Sequence, residues 1–195
     1  MLVLSLRDRL DLLERDLRAT PPRIHVYEDL PFALFRYEPA DEWELRRQAR
    51  LLAARLAEAG KEVRFLSLAE LLWEAIEKSE GVAVLAQLER QQGFAAAQEQ
   101  VTTYLSDPDW QPLARLLEER LTGLEPGKNV VFLLRAASLA PAAYSLSKLL
   151  AEMQGRTRVP MILFYPGTLE GATGLRFLGL KEREATGSYR VKIYG

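Results

Sequence analysis

Leu6, Leu10, Leu13 and Leu17 recur three and four residues apart, which is the spacing of one helical face, and Ser5 with Asp8 stands where such a helix starts. Asp11 with Arg15, and Glu14 with Arg18, add opposite charges four apart on the polar side. Pro21 and Pro22 end the helix, since neither can donate within a continuing one. Phe32 to Tyr37 is apolar and aromatic enough for a first strand. Asp41 then caps a second helix, whose Leu45, Ala49, Leu52 and Leu56 form a buried stripe and which closes at Gly60, where a left-handed residue is commonly needed. Val63 to Leu68 reads as a second strand, and Ser67 with Glu70 has capping-box spacing for a helix reaching Lys78.

Gly81 to Leu105 reads as helix with a weak point at Gly93, and Ser106 to Trp110 as a turn rich in Asp and Pro. A further helix carries Leu113, Leu116, Leu117 and Leu121, so a mainly helical insertion of about 81–122 separates the second and third strands. Asn129 to Leu134 is continuously hydrophobic after its first residue, as expected of a parallel strand covered on both faces. Pro141 is expected to open a helix with Tyr144, Leu149, Leu150 and Met153, ended by Gly155; Val159 to Tyr165 is the fourth strand. Leu175 to Leu180 and Tyr189 to Tyr194 read as added edge strands. The order predicts an α/β fold of three layers, a mainly parallel sheet flanked by helices, with the outline of a P-loop NTPase or a Rossmann domain but no phosphate loop.

Composition narrows the chemistry. The 195 residues, 48% hydrophobic and 27% charged, suit one α/β domain over 1–195. Lys and Arg number 26 against 27 Asp and Glu, which leaves no positive excess to neutralise phosphates, so direct DNA binding is not expected. Arg46, Arg47, Arg50 and Arg55 do give the second helix a basic side, but Glu42, Glu44 and Glu58 dilute it. With no cysteine and one histidine, His25, the chain lacks the usual thiolate and multi-histidine ligand sets, and neither a metal nor another cofactor is expected. No stretch approaches the roughly 18 apolar residues of a membrane span, and the start does not read as a secretory signal, so a cytoplasmic protein is expected.

Three features invite a catalytic or ligand-binding reading. Gly123 to Asn129 ends in Gly-Lys like a phosphate loop, yet its glycines are one residue too close, Asn129 replaces the Ser or Thr that holds magnesium, and the segment precedes a strand where a phosphate loop follows one. It reads as a turn. Tyr165 to Gly174 is glycine-rich and follows a predicted parallel strand, at the sheet edge where open α/β folds bind ligands, and Arg135 should emerge nearby. The candidate ligand or partner surface is therefore Arg135, Tyr165, Gly167, Gly171, Gly174 and Arg176. The carboxylate pairs Glu118 with Glu119, and Asp107 with Asp109, read as a solvated helix face and a capped turn. Trp43, Trp73 and Trp110 are not spaced as a stacking platform, and core or interface packing is their expected role.

Several runs resemble one known family. Val130-Val131-Phe132-Leu133-Leu134-Arg135-Ala136-Ala137, Lys148-Leu149-Leu150, Gly155-Arg156-Thr157-Arg158-Val159-Pro160 and Leu163-Phe164-Tyr165-Pro166-Gly167 are similar to the BrxB family, a core component of bacterial BREX systems that restrict phage. Arg23 with Tyr27, Leu34 to Tyr37 and Ser67 to Leu72 extend the resemblance towards the start of the chain. The resemblance implies a non-catalytic role beside a methyltransferase, a large ATPase and a PglZ-type protein of the phosphatase superfamily, with direct contact to the last. It supplies no catalytic residues. The expected function is an adaptor that orders a BREX phage-defence complex through the Tyr189 to Tyr194 edge and apolar residues of the insertion. The alternative is a small nucleotide-binding or hydrolysing protein that uses the 165–174 loop.

Overall fold

Side chains alternate across a strand, so a run that is apolar at every position must feed two cores. The computed structural model, which describes residues 4–24, 30–140, 143–170, 174–180 and 191–195, shows this directly. Helix α1 (Leu6–Arg18) leads to strand β1 (Phe32–Tyr37), α2 (Glu42–Glu58), β2 (Glu62–Ser67) and α3 (Leu68–Lys78). The insertion is α4 (Gly81–Gln92), α5 (Phe94–Ser106) and α6 (Leu113–Leu121). Then come β3 (Asn129–Leu134), α7 (Leu146–Met153), β4 (Met161–Glu170), β5 (Gly174–Phe177) and β6 (Lys192–Tyr194). Five strands lie parallel in the order β2-β3-β4-β1-β6, and β5 pairs antiparallel with the far half of β4.

Phe32, Leu34, Val131, Leu133, Met161 and Leu163 face α3, α5, α6 and α7, while Ala33, Phe35, Val130, Phe132, Ile162 and Phe164 face α1 and α2. This is the expected three-layer arrangement. On the α1/α2 side one aromatic row crosses all five parallel strands. Phe65 meets Phe132 with ring centroids 5.7 Å apart, Phe132 meets Phe164 at 5.2 Å, Phe164 meets Phe35 at 5.4 Å, and Phe35 meets Tyr194 at 6.4 Å. Such tilted, edge-on and stacked pairs add about 0.5–1.5 kcal/mol each beyond area burial.

Most expected elements are present, and the departures have local causes. Helix α1 carries a full capping box, with Asp8 N–H donating to Ser5 Oγ and Ser5 N–H to Asp8. Asp11 reaches Arg55 of α2 rather than Arg15. Asp41 precedes α2 in a 3-10 turn over Pro39–Asp41 and makes no side-chain cap. Gly93, with φ of +88°, divides α4 from α5. The helix expected from Pro141 begins only at Leu146, after a 3-10 turn over Ala136–Leu139; Pro141 itself lies outside the described residues, as does His25. Strand β4 runs past Tyr165 to Glu170, so Tyr165 to Glu170 is strand rather than loop. Pro166, which lacks an N–H, sits where parallel pairing with Tyr37 of β1 ends, and Gly167 opens the pairing with Phe177 of β5.

Candidate functional site

The carboxyl-terminal edge of the parallel strands is where ligands of open α/β sheets bind, in the crevice where chain connections leave for opposite faces. Here β1 leads to α2 on one face, whereas the helices between β2 and β4 cover the other. A groove of about 430 Å³ opens at this edge, lined by Pro39 after β1, Glu70 and Trp73 of α3, Arg135 after β3, Pro166 of β4 and Leu178 after β5. A second groove of about 320 Å³ shares Arg46, Glu70 and Arg135 with it and adds Arg50, Phe65 and Ser67.

Arg135 and Leu178 are the non-glycine residues with positive φ among those described, at +61° and +54°. Both line the first groove. A left-handed backbone costs a bulky residue roughly 1–2 kcal/mol, and such strain gathers at working surfaces. The carbonyl of Arg135 accepts from Ser138 Oγ at 2.8 Å, which fixes the turn while its side chain stays exposed.

The other cations of the edge differ in freedom. Tyr37, at the end of β1, donates its hydroxyl to Glu42, and Arg46 pairs with the same carboxylate at 2.5 Å. Burial first, and then the bond to Glu42, hold the Tyr37 phenol far above its ordinary value. Arg47 pairs with Glu44 at 2.8 Å; the hydrogen bond from Arg47, followed by one from Gln48, pulls the Glu44 carboxyl down to about 2. Arg55 pairs with Glu14 at 2.5 Å. Arg50 and Arg135 make no side-chain hydrogen bond or ion pair among the described residues, so both are free to meet an anion.

The turn after β1 is Glu38-Pro39-Ala40-Asp41, followed by Glu42 and Glu44 in the first turn of α2. A phosphate needs bare backbone N–H groups and positive potential at a helix start. Carboxylates occupy that place, and they repel it. Beneath the turn, Arg36 is buried, donates to Glu38 and approaches the Gly167 carbonyl at 3.5 Å. Arg9 of α1, also buried, donates to the Arg36 carbonyl and lies 5.3 Å over the Phe35 ring. Arg36 carries no legible signal beyond one charge inside an apolar run.

Tyr165 to Glu170 of the glycine-rich segment is one arm of a hairpin with β5. Tyr165 is buried with its ring 5.5 Å from that of Phe177. Gly167 is required by close approach, because a Cβ there would lie 2.6 Å from the Tyr165 ring and against the Arg176 backbone. Gly174 starts β5, Arg176 sits within it and donates to the Leu180 carbonyl at 3.3 Å, and Gly171 lies outside the described residues. Of the five described candidate residues, then, Arg135 lines the groove, Tyr165 and Gly167 flank the groove-lining Pro166 in β4, and Gly174 and Arg176 lie in β5.

Sequence spacing hid the aromatic rim. Trp43 is 79% exposed with Arg46 5.0 Å from its ring, Trp73 is 55% exposed and Phe65 is 42% exposed, all on elements that frame the two grooves. Trp110, by contrast, packs on Tyr104 at 5.0 Å. The carboxylate pairs behave as surface groups: Asp109 N–H donates to Asp107 at 2.9 Å, and Glu118 pairs with Arg156 at 3.0 Å. Among the described residues no helix is long and apolar enough to cross a membrane. No curated protein and no solved structure matches the chain. The family described as BREX protein BrxB matches residues 64–193, more than half of the chain, taking in most of the second strand and all of the third, the insertion and Arg135. The chain belongs to the BrxB family, components of BREX phage defence.

Proposed function

We propose that this protein is a non-catalytic adaptor of a BREX assembly and that it binds the PglZ-type component through the rim of the sheet-edge grooves. The observation that carries the reading is a pair of exposed tryptophans, Trp73 in the groove that the unpaired Arg135 lines and Trp43 with Arg46 5.0 Å from its ring. Water is a poor solvent for indole, and Trp with Arg is the commonest chemistry of interface anchors. Helices α4 and α5 add exposed apolar groups, Val82 and Val84 near the start of one and Phe94, 62% exposed, at the start of the other. Helix α4 buries none of its residues fully. Of the groove's acidic residues, Glu42 is held by Tyr37 and Arg46, and the turn after β1 opposes phosphate.

The test is co-elution of the two purified proteins at micromolar concentration, repeated with Trp73→Ala. A complex with the native chain that is lost or weakened at least tenfold in the variant supports the adaptor. Two folded proteins that elute apart contradict it, as does calorimetric binding and turnover of ATP or GTP with Mg²⁺.

A further inference from the structure

Strand β2 ends the sheet on one side, and nothing among the described residues pairs with its outer edge. Its six residues hold unbroken register with β3, from Glu62 against Asn129 to Ser67 against Leu134. Glu62 N–H donates to the Lys128 carbonyl on the β3 side, so by the alternation of a parallel ladder Val63, Phe65 and Ser67 turn their backbone groups outward. No proline or bulge interrupts the edge, and edges of this kind are templates for another strand.

The side chains around that edge specify the newcomer. The aromatic row that crosses the sheet closes at Tyr194 on one end, where Asp16 and Lys192 cover it. At the other end it stops at the half-exposed ring of Phe65, with no ring on its outer side among the described residues. A strand added to β2 would place an aromatic side chain opposite Phe65, within the 4.5–5.5 Å reach of directly paired residues. Two residues farther towards the end of β2, the same face meets the smaller groove, with Arg50 and Arg135 free and only Glu70 opposing them. Arg46 is already neutralised by Glu42. The excess is positive and matches a carboxylate, which guanidinium groups bind in a forked, directional geometry.

We infer that the β2 edge captures an extended segment of a partner protein, with an aromatic residue against Phe65 and an acidic residue two positions on against Arg50 and Arg135. Main-chain hydrogen bonds supply the affinity, and the ring and the two cations supply the selection. Nucleic acid is the poorer fit, because two cations offset by Glu70, on a chain without positive excess, neutralise few phosphates. The inference deepens the adaptor reading and rests on it for the existence of a partner, while its own test needs no partner.

The probe is a fluorescein-labelled heptapeptide, Thr-Val-Thr-Phe-Thr-Asp-Thr, which sets Phe and Asp two positions apart on one face of the strand, followed by anisotropy against the full chain. Three companions share its length: one with Lys for Asp, one with alternate amides N-methylated, and an oligothymidine. Binding of the acidic peptide, weakened at least tenfold by Lys replacement, by N-methylation, by Arg50→Glu and by Phe65→Ala, is the expected result. An unchanged melting temperature for Arg50→Glu, and for Phe65→Ala a cooperative melt lowered only by the lost contact with Phe132, show that the fold is intact. Equal binding of the Lys or N-methylated peptide, stronger binding of the oligothymidine, self-association of the chain through this edge, or no binding of the acidic peptide would each overturn the inference. If the acidic peptide fails while the PglZ-type protein still co-elutes, the adaptor stands and the edge is not its docking site.

Discussion

Tyr194 of β6 and Asp16 of α1, 178 residues apart in the chain, meet in a hydrogen bond of 2.7 Å in which the phenol donates to the buried carboxylate. Lys192 donates to the same oxygen at 2.6 Å and to the Arg23 carbonyl at 3.0 Å. The edge strand β6 is only three residues long, and this knot ties it to the helix beneath it. Burial pushes the Asp16 carboxyl up, but the bonds from Lys192 and Tyr194 outweigh that, and its value lies below the ordinary one.

A carboxyl with a depressed native value stabilises the fold above its unfolded value near 3.9, and that contribution is lost as pH falls through the native value. Asp16→Asn should therefore destabilise by about 1–3 kcal/mol at neutral pH, the loss of a charge-assisted bond at a buried site. In urea titrations the gap between native chain and variant should be alike at pH 7 and 5 and narrow at pH 3. A gap that widens on acidification contradicts the assignment.

Arg135 tests the strain in the groove wall. Glycine adopts a φ of +61° without a Cβ clash, so Arg135→Gly should leave stability unchanged or raise it by about 1 kcal/mol despite losing a side chain. Thermal melts read this directly. A loss of more than 1 kcal/mol would mean that the Arg135 side chain anchors the fold, and its availability to an anion would be ruled out.

How far the chain could be read in advance depends on the range of the interactions. Helix α1, β1 and β3 were legible because each depends on local pattern: leucines on one face with Ser5 and Asp8, and runs apolar at every position. The turn at Gly123 to Lys128 was legible from the order of motif and strand. The first half of β4 was legible in the same way as β3, but its extension past Tyr165 was not, because Pro166 and Gly167 read locally as breakers, and only pairing with both β1 and β5 makes them strand. The aromatic row and the meeting of Trp73 with Arg135 require the order of strands in the sheet, which no spacing encodes. Arg135 itself was placed correctly because a residue just past a parallel strand must emerge at that edge.

The insertion should be the least protected helical region. Local opening is easiest where few side chains are buried, and α4 buries none fully while α6 buries Leu113, Ala114, Leu116, Leu117 and Leu121. Amide exchange followed by mass spectrometry should show α4 exchanging at least tenfold faster than α6. Equal protection would contradict the link between burial and local opening in this insertion.

The central claim, that the exposed indoles at the sheet edge are partner anchors, is tested most directly by titrating the PglZ-type protein into this chain by calorimetry. The chains compared are the native protein and the Trp43→Ala/Trp73→Ala double variant. Each anchor lost at an interface centre costs about 2 kcal/mol or more, so affinity should fall at least a hundredfold with no loss of folding. Equal affinity for the native and doubly substituted chains would contradict the account.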